Sequence, residues 1–123
     1  LKVGNGGVID NFSNGGMYTM LDEQGRALHP AADEEGHPHA THPITGVEIT
    51  GYQVPLYDEV LQLVDRLARR VPELPYIGWD VAITPERPIV IEGNHNSGVF
   101  QSKPSVSGIR RGLLPRYRAA MRF

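Results

Sequence analysis

Two short segments decide the fold of this chain: Gly78-Trp79-Asp80-Val81-Ala82-Ile83 and Ile89-Val90-Ile91-Glu92-Gly93-Asn94. Both are rich in β-branched residues and are bounded by Gly, Pro or Asn, which is typical of β-strands. The five residues at 84–88 that separate them have the length of an ordinary hairpin connection. We therefore predict two antiparallel strands, at residues 76–83 and 89–93, joined as a hairpin.

The predicted hairpin has two chemically different faces, because successive side chains of a strand point to opposite sides. One face of the first strand is large and apolar and carries Ile77, Trp79, Val81 and Ile83. The other face carries a carboxylate. If Ile83 pairs with Ile89, the remaining pairs are Val81 with Ile91, Asp80 with Glu92, and Gly78 with Asn94.

The opposed pair of acids points to a bound cation. Carboxylates directly opposite each other in an antiparallel pair have Cβ atoms about 4.5–5.5 Å apart, and they repel. A divalent cation between Asp80 and Glu92 would remove this repulsion, and Mg²⁺ prefers oxygen ligands of this kind. Asn94 adds a neutral oxygen on the same face, and we expect Gly78 and Gly93 to leave room for a ligand. The alternative is a surface hairpin with two solvated acids, one of them paired with an Arg.

A single clear helix precedes the hairpin, at residues 56–71. Its apolar residues recur every three or four positions, as expected for an amphipathic helix: Leu56, Val60, Leu63, Val64, Leu67 and Val71. We expect this stripe to cover the apolar face of the hairpin. The rest of the predicted structure comprises a helix at 113–121, strands at 17–21, 26–29 and 47–54, and loops at 1–16, 30–46 and 94–107. The fold class is therefore α+β, an antiparallel sheet with helices packed on one face.

Composition limits the function further. A chain of 123 residues with 40% apolar content suits one domain, and its net charge of −2 argues against a general nucleic-acid or membrane-surface partner. No cysteine is present, so disulfides and thiolate zinc sites are excluded. No apolar run approaches the ~20 residues of a membrane span. The first residues have neither Met nor the pattern of a signal peptide, so we expect a cytoplasmic chain that begins inside a longer protein.

A group of histidines offers a different chemistry. His37, His39 and His42 lie close together, with His29 nearby, and imidazoles so close could bind zinc and support a zinc hydrolase. Prolines and the absence of any periodicity instead favour a flexible loop. We expect His42-Pro43 to shape this loop.

The residues of the hairpin also carry a resemblance. Gly78 to Thr84 followed by Ile89 to Asn94 resembles the closing hairpin of the ATP-grasp superfamily, in the sugar-transfer-associated branch found among polysaccharide-biosynthesis and hexapeptide-transferase-like proteins. Three further segments fit that branch: Asp10-Asn11 with Gly15-Gly16, His42-Pro43-Ile44-Thr45-Gly46, and Gly51 with Val54-Pro55. The resemblance covers roughly residues 1–103.

The resemblance implies particular roles for several residues. Asp80, Glu92 and Asn94 match the ligands of Mg²⁺ (or Mn²⁺), through which these proteins bind the phosphates of ATP. Gly15 and Gly16, with Asn11, match a loop that reaches the phosphates and the acceptor. Lys2 stands where relatives have an Arg and would contact a phosphate, so the implied catalytic residues are Asn11 and Lys2.

The resemblance also implies a reaction. ATP-grasp enzymes phosphorylate a carboxylate with ATP, and an amine or another nucleophile then displaces the phosphate. By this comparison the chain is the C-terminal lobe of an ATP-grasp domain, whose partners are ATP, an acceptor and an N-terminal nucleotide-binding lobe. We expect these 123 residues alone to be inactive. The alternative within the family is a non-catalytic or degenerate fragment that binds a metal or a partner.

Overall fold

The computed structural model describes residues 1–7, 12–97 and 104–121. The strands are β1 (Lys2–Val3), β2 (Met17–Tyr18), β3 (Ala31–Ala32), β4 (Pro38–His39), β5 (Gly78–Ile83) and β6 (Pro88–Asn94). The helices are α1 (Tyr57–Ala68), α2 (Pro104–Ser107) and α3 (Leu114–Met121), with a short 3-10 helix at Phe12–Asn14. The fold is α+β, as predicted, but its strands form two antiparallel sheets where one was expected: β1-β2-β3-β4 and β5-β6.

The chain divides into two compact units. The first comprises Leu1–Val54 and Gln101–Gly112, and the second comprises Pro55–Phe100 and Leu113–Phe123. Every buried hydrophobic side chain in the described part of the chain belongs to the first unit. Its core joins Met17, Ala31 and Ile49, with Val3 packed against them. The hydroxyl of Thr19 is buried beside this core and donates a hydrogen bond to the carbonyl of His29 at 2.9 Å.

The predicted loop at 30–46 was wrong in part, because it contains the β3–β4 hairpin. Each of these strands has only two residues, too few for a periodic pattern to be read from the sequence. A side chain organises the turn instead. The Asp33 carboxylate accepts hydrogen bonds from the backbone N–H groups of Gly36 and His37, both at 2.8 Å. Gly36 has a φ of 91°, which a residue without Cβ adopts readily.

The predicted strands at 26–29 and 47–54 are reduced to isolated bridges. Arg26 pairs with Gln53, and Glu48 pairs with Thr41. A third bridge joins Leu21 to Ala27 at the end of the segment predicted as the strand 17–21. Two of these bridges close short loops, whereas the bridge between Arg26 and Gln53 joins distant parts of the chain. Single bridges of either kind leave no long alternating pattern in the sequence.

Helix α1 is shorter at both ends than the predicted 56–71. Leu56 has a φ of 53° and a ψ of 29°, so the regular helix begins only at Tyr57. At the other end, the Arg69 guanidinium bonds to the Asp65 carboxylate at 2.8 Å, which holds the pKa of Asp65 below its ordinary value. The predicted apolar stripe is half-buried, and the positions between its members are mostly exposed. Helix α3 agrees with its prediction, whereas α2 lies in a segment predicted to be a loop.

The β5–β6 hairpin is present, and its register is correct where the acids lie. Gly78 pairs with Asn94 and Asp80 pairs with Glu92, as predicted. Beyond Asp80 the register shifts by one residue, so that Val81 pairs with Val90 and Ile83 with Pro88. The predicted pairs of Ile83 with Ile89 and of Val81 with Ile91 were therefore wrong.

A β-bulge explains the shift. Asp80 and Val81 are consecutive, but their partners Glu92 and Val90 are separated by Ile91, which is the extra residue. The bulge reverses the alternation on β6, so Val90 lies on the face of Val81 and is half-buried, while Ile91 is 68% exposed. Because of the bulge, Val90 faces the apolar side of the hairpin and Glu92, only two residues later, faces the other side with Asp80.

The Trp79 ring covers Gly93, its partner on β6. A Cβ atom placed on Gly93 would lie 2.5 Å from Cζ3 of Trp79 and 2.9 Å from Cε3. The indole therefore packs directly on the backbone of β6 and stabilises the end of the hairpin that carries the acids.

Gly93→Ala should consequently destabilise the protein. Because the new methyl group must displace a large ring, we expect a loss of about 1–3 kcal/mol in the free energy of unfolding. Urea unfolding followed by tryptophan fluorescence measures this loss. Gly112→Ala is the control, since a Cβ there meets no atom within 4 Å, and equal stability of the two variants would contradict the packing.

Acid should weaken the β3–β4 turn. The hydrogen bond from His39 holds the pKa of Asp33 well below its ordinary value, and the N–H groups of His37 and Gly36 act in the same direction. A carboxyl whose pKa is lowered by folding stabilises the fold above its unfolded pKa of about 4, and this contribution is lost as the pH falls below that value.

We therefore expect Asp33→Asn to lower the free energy of unfolding most strongly near neutral pH. The difference from the wild type should shrink as the pH falls below about 4, because protonation of Asp33 in the unfolded wild-type chain then removes the stability that the carboxylate provides. Urea unfolding at several pH values tests this, with Glu23→Gln as the control for a nearby exposed acid. A difference that does not change with pH would contradict the assignment.

Candidate metal site

Two acids meet at the open end of the β5–β6 hairpin. Asp80 on β5 lies directly opposite Glu92 on β6, and the bulge at Ile91 follows immediately. Asp80 is half-buried and Glu92 is exposed. Bulges are common next to functional sites, where they redirect a side chain or end the regular pairing. The register thus brings two carboxylates onto one face of the two-stranded hairpin.

Asn94 joins the same site. Its side-chain N–H donates to a Glu92 carboxylate oxygen at 2.9 Å, which confirms that these two side chains lie side by side. The carboxamide of Asn94 presents its donor to Glu92 in this arrangement. To bind a cation together with Glu92, Asn94 would have to present its amide oxygen instead. Rotation of the carboxamide about its last side-chain torsion angle exchanges the positions of the oxygen and the NH₂ group.

The donor chemistry of these three residues suits a hard cation. Two carboxylates and one carboxamide supply only oxygen atoms, which Mg²⁺ and Mn²⁺ prefer over softer ligands. The site opens to solvent at Glu92 and Asn94, both of which are exposed. A polyphosphate could therefore approach an ion there.

The two glycines of the hairpin do not leave space for a ligand, contrary to the prediction. The Trp79 ring fills the space above Gly93, and the side chain of Ser97 fills the position that a Cβ of Gly78 would take. Gly78 shares a face with Asp80, so the chain after β6 returns to place Ser97 on the acidic face. Nothing in the strand pattern indicated Ser97, because its position depends on how the chain turns after Asn94.

The other predicted site residues belong to the first unit. Lys2 lies on β1 opposite Tyr18. Gly16 is buried, and Gly15 has a φ of 81° immediately after the 3-10 helix. A Cβ on Gly15 would lie 2.8 Å from the side-chain nitrogen of Asn5. The turn itself thus requires Gly15, and Asn11 lies outside the described residues.

Lys2 also borders a surface cavity of about 290 Å³ in the first unit. The cavity is lined mainly by apolar groups, with Glu48 as its acidic member. Its lining consists of Leu1, Lys2, Val3, His42, Thr45, Val47, Glu48, Ile49 and Tyr52.

His42 has a structural role, as predicted. One ring nitrogen, Nε2, lies 2.7 Å from the carbonyl oxygen of Gly4, and Nδ1 accepts from the backbone N–H groups of Ile44 and Thr45, both at 3.2 Å. Both nitrogens are thus used by the backbone. A zinc site that includes His42 would break these contacts, which argues against the three-histidine site considered from the sequence.

The fold is α+β, and its β5–β6 hairpin brings together side chains whose oxygen atoms could bind a divalent cation. The sequence profile described as sugar-transfer associated ATP-grasp matches residues 1–115. The chain therefore belongs to the sugar-transfer-associated ATP-grasp family. No curated protein and no solved structure shows a significant match.

Membership of this family has general consequences. It indicates an ATP-dependent, ligase-like role, and ATP-grasp proteins generally bind ATP together with Mg²⁺ or Mn²⁺. The match also confirms the resemblance drawn from the four sequence segments and extends it to residue 115. In the part of the chain that the structure describes, every helix is too short or too polar to cross a bilayer.

Proposed function

We propose that the β5–β6 hairpin binds the Mg²⁺ or Mn²⁺ that accompanies ATP in a ligase-type ATP-grasp enzyme, with Asp80, Glu92 and Asn94 as the ligands. The observation that carries this proposal is the direct pairing of Asp80 with Glu92, next to the 2.9 Å contact between Asn94 and Glu92. Family membership supports it independently.

The hairpin contributes position and charge. Pairing in β5–β6 sets the spacing of the two carboxylates, and the Trp79 ring on Gly93 supports the strand between Glu92 and Asn94. Phosphoryl transfer needs mainly positioning and electrostatic stabilisation, which a rigid element supplies without reorganisation. The bound cation would neutralise charge on the phosphates. Ser97, which packs against Gly78, limits the space beside the ligands.

We propose that the chain, residues 1–123, is the C-terminal part of a single ATP-grasp domain, and that its second unit holds the metal. In its described residues, the apolar faces of α1 and β5 are half-buried rather than fully buried, as expected of a unit that packs within a larger domain. In this proposal an N-terminal lobe supplies the adenine pocket and the lysines that hold the α- and β-phosphates. ATP is the common substrate, and a cytoplasmic location agrees with its use.

The proposed reaction is the phosphorylation of a carboxylate followed by its attachment to a nucleophile. The γ-phosphoryl group passes from ATP to the carboxylate, ADP leaves, and the nucleophile then displaces phosphate from the acyl carbon. The description of the family as sugar-transfer associated supports an acceptor in polysaccharide or cell-surface biosynthesis.

The first unit would act on the phosphates and the acceptor. Lys2 offers a positive charge at the edge of the surface cavity. Gly15 and Gly16 hold the turn that follows Asn11, and the left-handed φ of Gly15 makes that turn possible. We propose Asn11 and Lys2 as the residues that contact phosphate or acceptor.

Asp80→Asn and Glu92→Gln should abolish turnover and leave the fold intact. Each substitution removes the charge of a proposed ligand. Loss of an outer-shell partner lowers metal affinity or activity by about 10–100-fold, so loss of a ligand should lower turnover by more than that. ADP formation with ATP and Mg²⁺ in the full-length protein measures turnover, and Mn²⁺ binding followed by electron paramagnetic resonance measures the site without catalysis. Circular dichroism checks the fold.

Glu86→Gln is the matched control, because Glu86 lies in the connecting loop of the same hairpin and its carboxylate contacts Thr84. It removes one acid without touching the proposed ligands and should change neither measurement. An Asp80→Asn protein with full turnover and full Mn²⁺ binding would refute the proposed site. Mn²⁺ binding without any ATP turnover by the wild type would favour the non-catalytic alternative.

A further inference from the structure

The turn between β3 and β4 carries metal-ligating side chains at every second position. Asp33, Glu35, His37 and His39 occupy these alternate positions, with Gly36 providing the turn. The backbone N–H of Asp33 bonds to the carbonyl of His37, so the two ends of the turn are held together.

Three of these side chains converge on one point. One donor atom each from Asp33, Glu35 and His37 lies within 4.8 Å of the other two. The Nδ1 atom of His37 is 3.1 Å from a Glu35 oxygen and 3.4 Å from a carboxylate oxygen of Asp33. Ligands at the distances of a tetrahedral zinc site are about 3.3 Å apart from one another. The two distances measured from Nδ1 of His37 match this spacing, and the Asp33 and Glu35 oxygens lie within 4.8 Å of each other.

Asp33 is oriented before any ion binds. Its Oδ1 atom accepts from the N–H groups of Gly36 and His37, and its Oδ2 atom lies 2.9 Å from Nε2 of His39. Oδ2 is also the atom that lies next to His37. Outer-shell hydrogen bonds of this kind hold metal ligands in place in known sites. His39 thus serves as the partner that orients Asp33.

We infer that this turn is a second metal site, for a borderline divalent cation of the Zn²⁺ class, with Asp33, Glu35 and His37 as its ligands. One imidazole nitrogen and two carboxylate oxygens form a mixed donor set, which suits Zn²⁺ better than the all-oxygen set preferred by Mg²⁺. The side chains of Glu35 and His37 are 78% and 67% exposed, so the remaining coordination position is open to water.

The site is distinct from the proposed ATP-associated ion. It lies in the first unit, whereas Asp80 and Glu92 lie in the second, and the two sites share no residue. An ion here would connect both ends of the β3–β4 turn. Binding to the folded state alone raises stability by mass action, so a structural consequence of the ion is an increase in Tm.

Titration of the untagged, metal-free protein with ZnCl₂ by isothermal calorimetry tests the inference. The wild type should bind one Zn²⁺ at this turn, and its Tm should rise with added ZnCl₂. Glu35→Gln and His37→Ala should each weaken this binding by at least about tenfold, and His39→Ala by about 10–100-fold as expected for an outer-shell partner. Glu35 and His37 are largely exposed, so these variants should fold.

Two controls separate this site from other acids. Glu34→Gln removes the same charge from the adjacent residue, which is not one of the converging ligands, and Asp80→Asn removes a ligand of the other proposed site. Both should keep the Zn²⁺ affinity of the wild type. The inference is overturned if the wild type binds no Zn²⁺ below millimolar concentrations, or if Glu34→Gln reduces affinity as much as Glu35→Gln. Loss of Zn²⁺ binding in Asp80→Asn alone would equally overturn it.

Discussion

The pairing of Asp80 with Glu92 is the constraint on which the rest of this structure depends. Two carboxylates on adjacent strands would repel if nothing lay between them, yet this register directs both to one face. The bulge at Ile91 makes the arrangement compatible with folding, because it changes the face of β6 between its apolar and acidic halves. The Trp79 ring on Gly93 then supports the acidic half from the opposite side.

The two units use different means to form their structure. The first has very short strands, and alanines such as Ala31, which is 0% exposed, make up much of its buried apolar core. Side chains such as Asp33 and His42 therefore stabilise its turns by bonding to the backbone. The second relies on one longer hairpin and an amphipathic helix, whose apolar faces are half-buried.

Several elements could be predicted because their signals are local. The helix at α1 follows from its apolar spacing. The register of Asp80 with Glu92 is predicted correctly although the predicted loop is one residue too long, because the extra residue Ile91 offsets that error. The same reasoning failed at Val81 and Ile83, since a bulge adds a residue without any signature in composition. The sequence also led us to expect that Gly78 and Gly93 leave room for a ligand, although the side chains of Ser97 and Trp79 occupy that space. Packing between distant residues decides such details.

By itself, the sequence determined the fold class, the family and the three residues proposed to bind the metal, because alternation and motif spacing are properties of the chain alone. Only the tertiary structure decided where Ser97 lies, that His42 binds backbone on both sides, and that Asp33, Glu35 and His37 converge. Turns set these positions, and the direction of a turn depends on backbone angles and hydrogen bonds that no periodic pattern encodes.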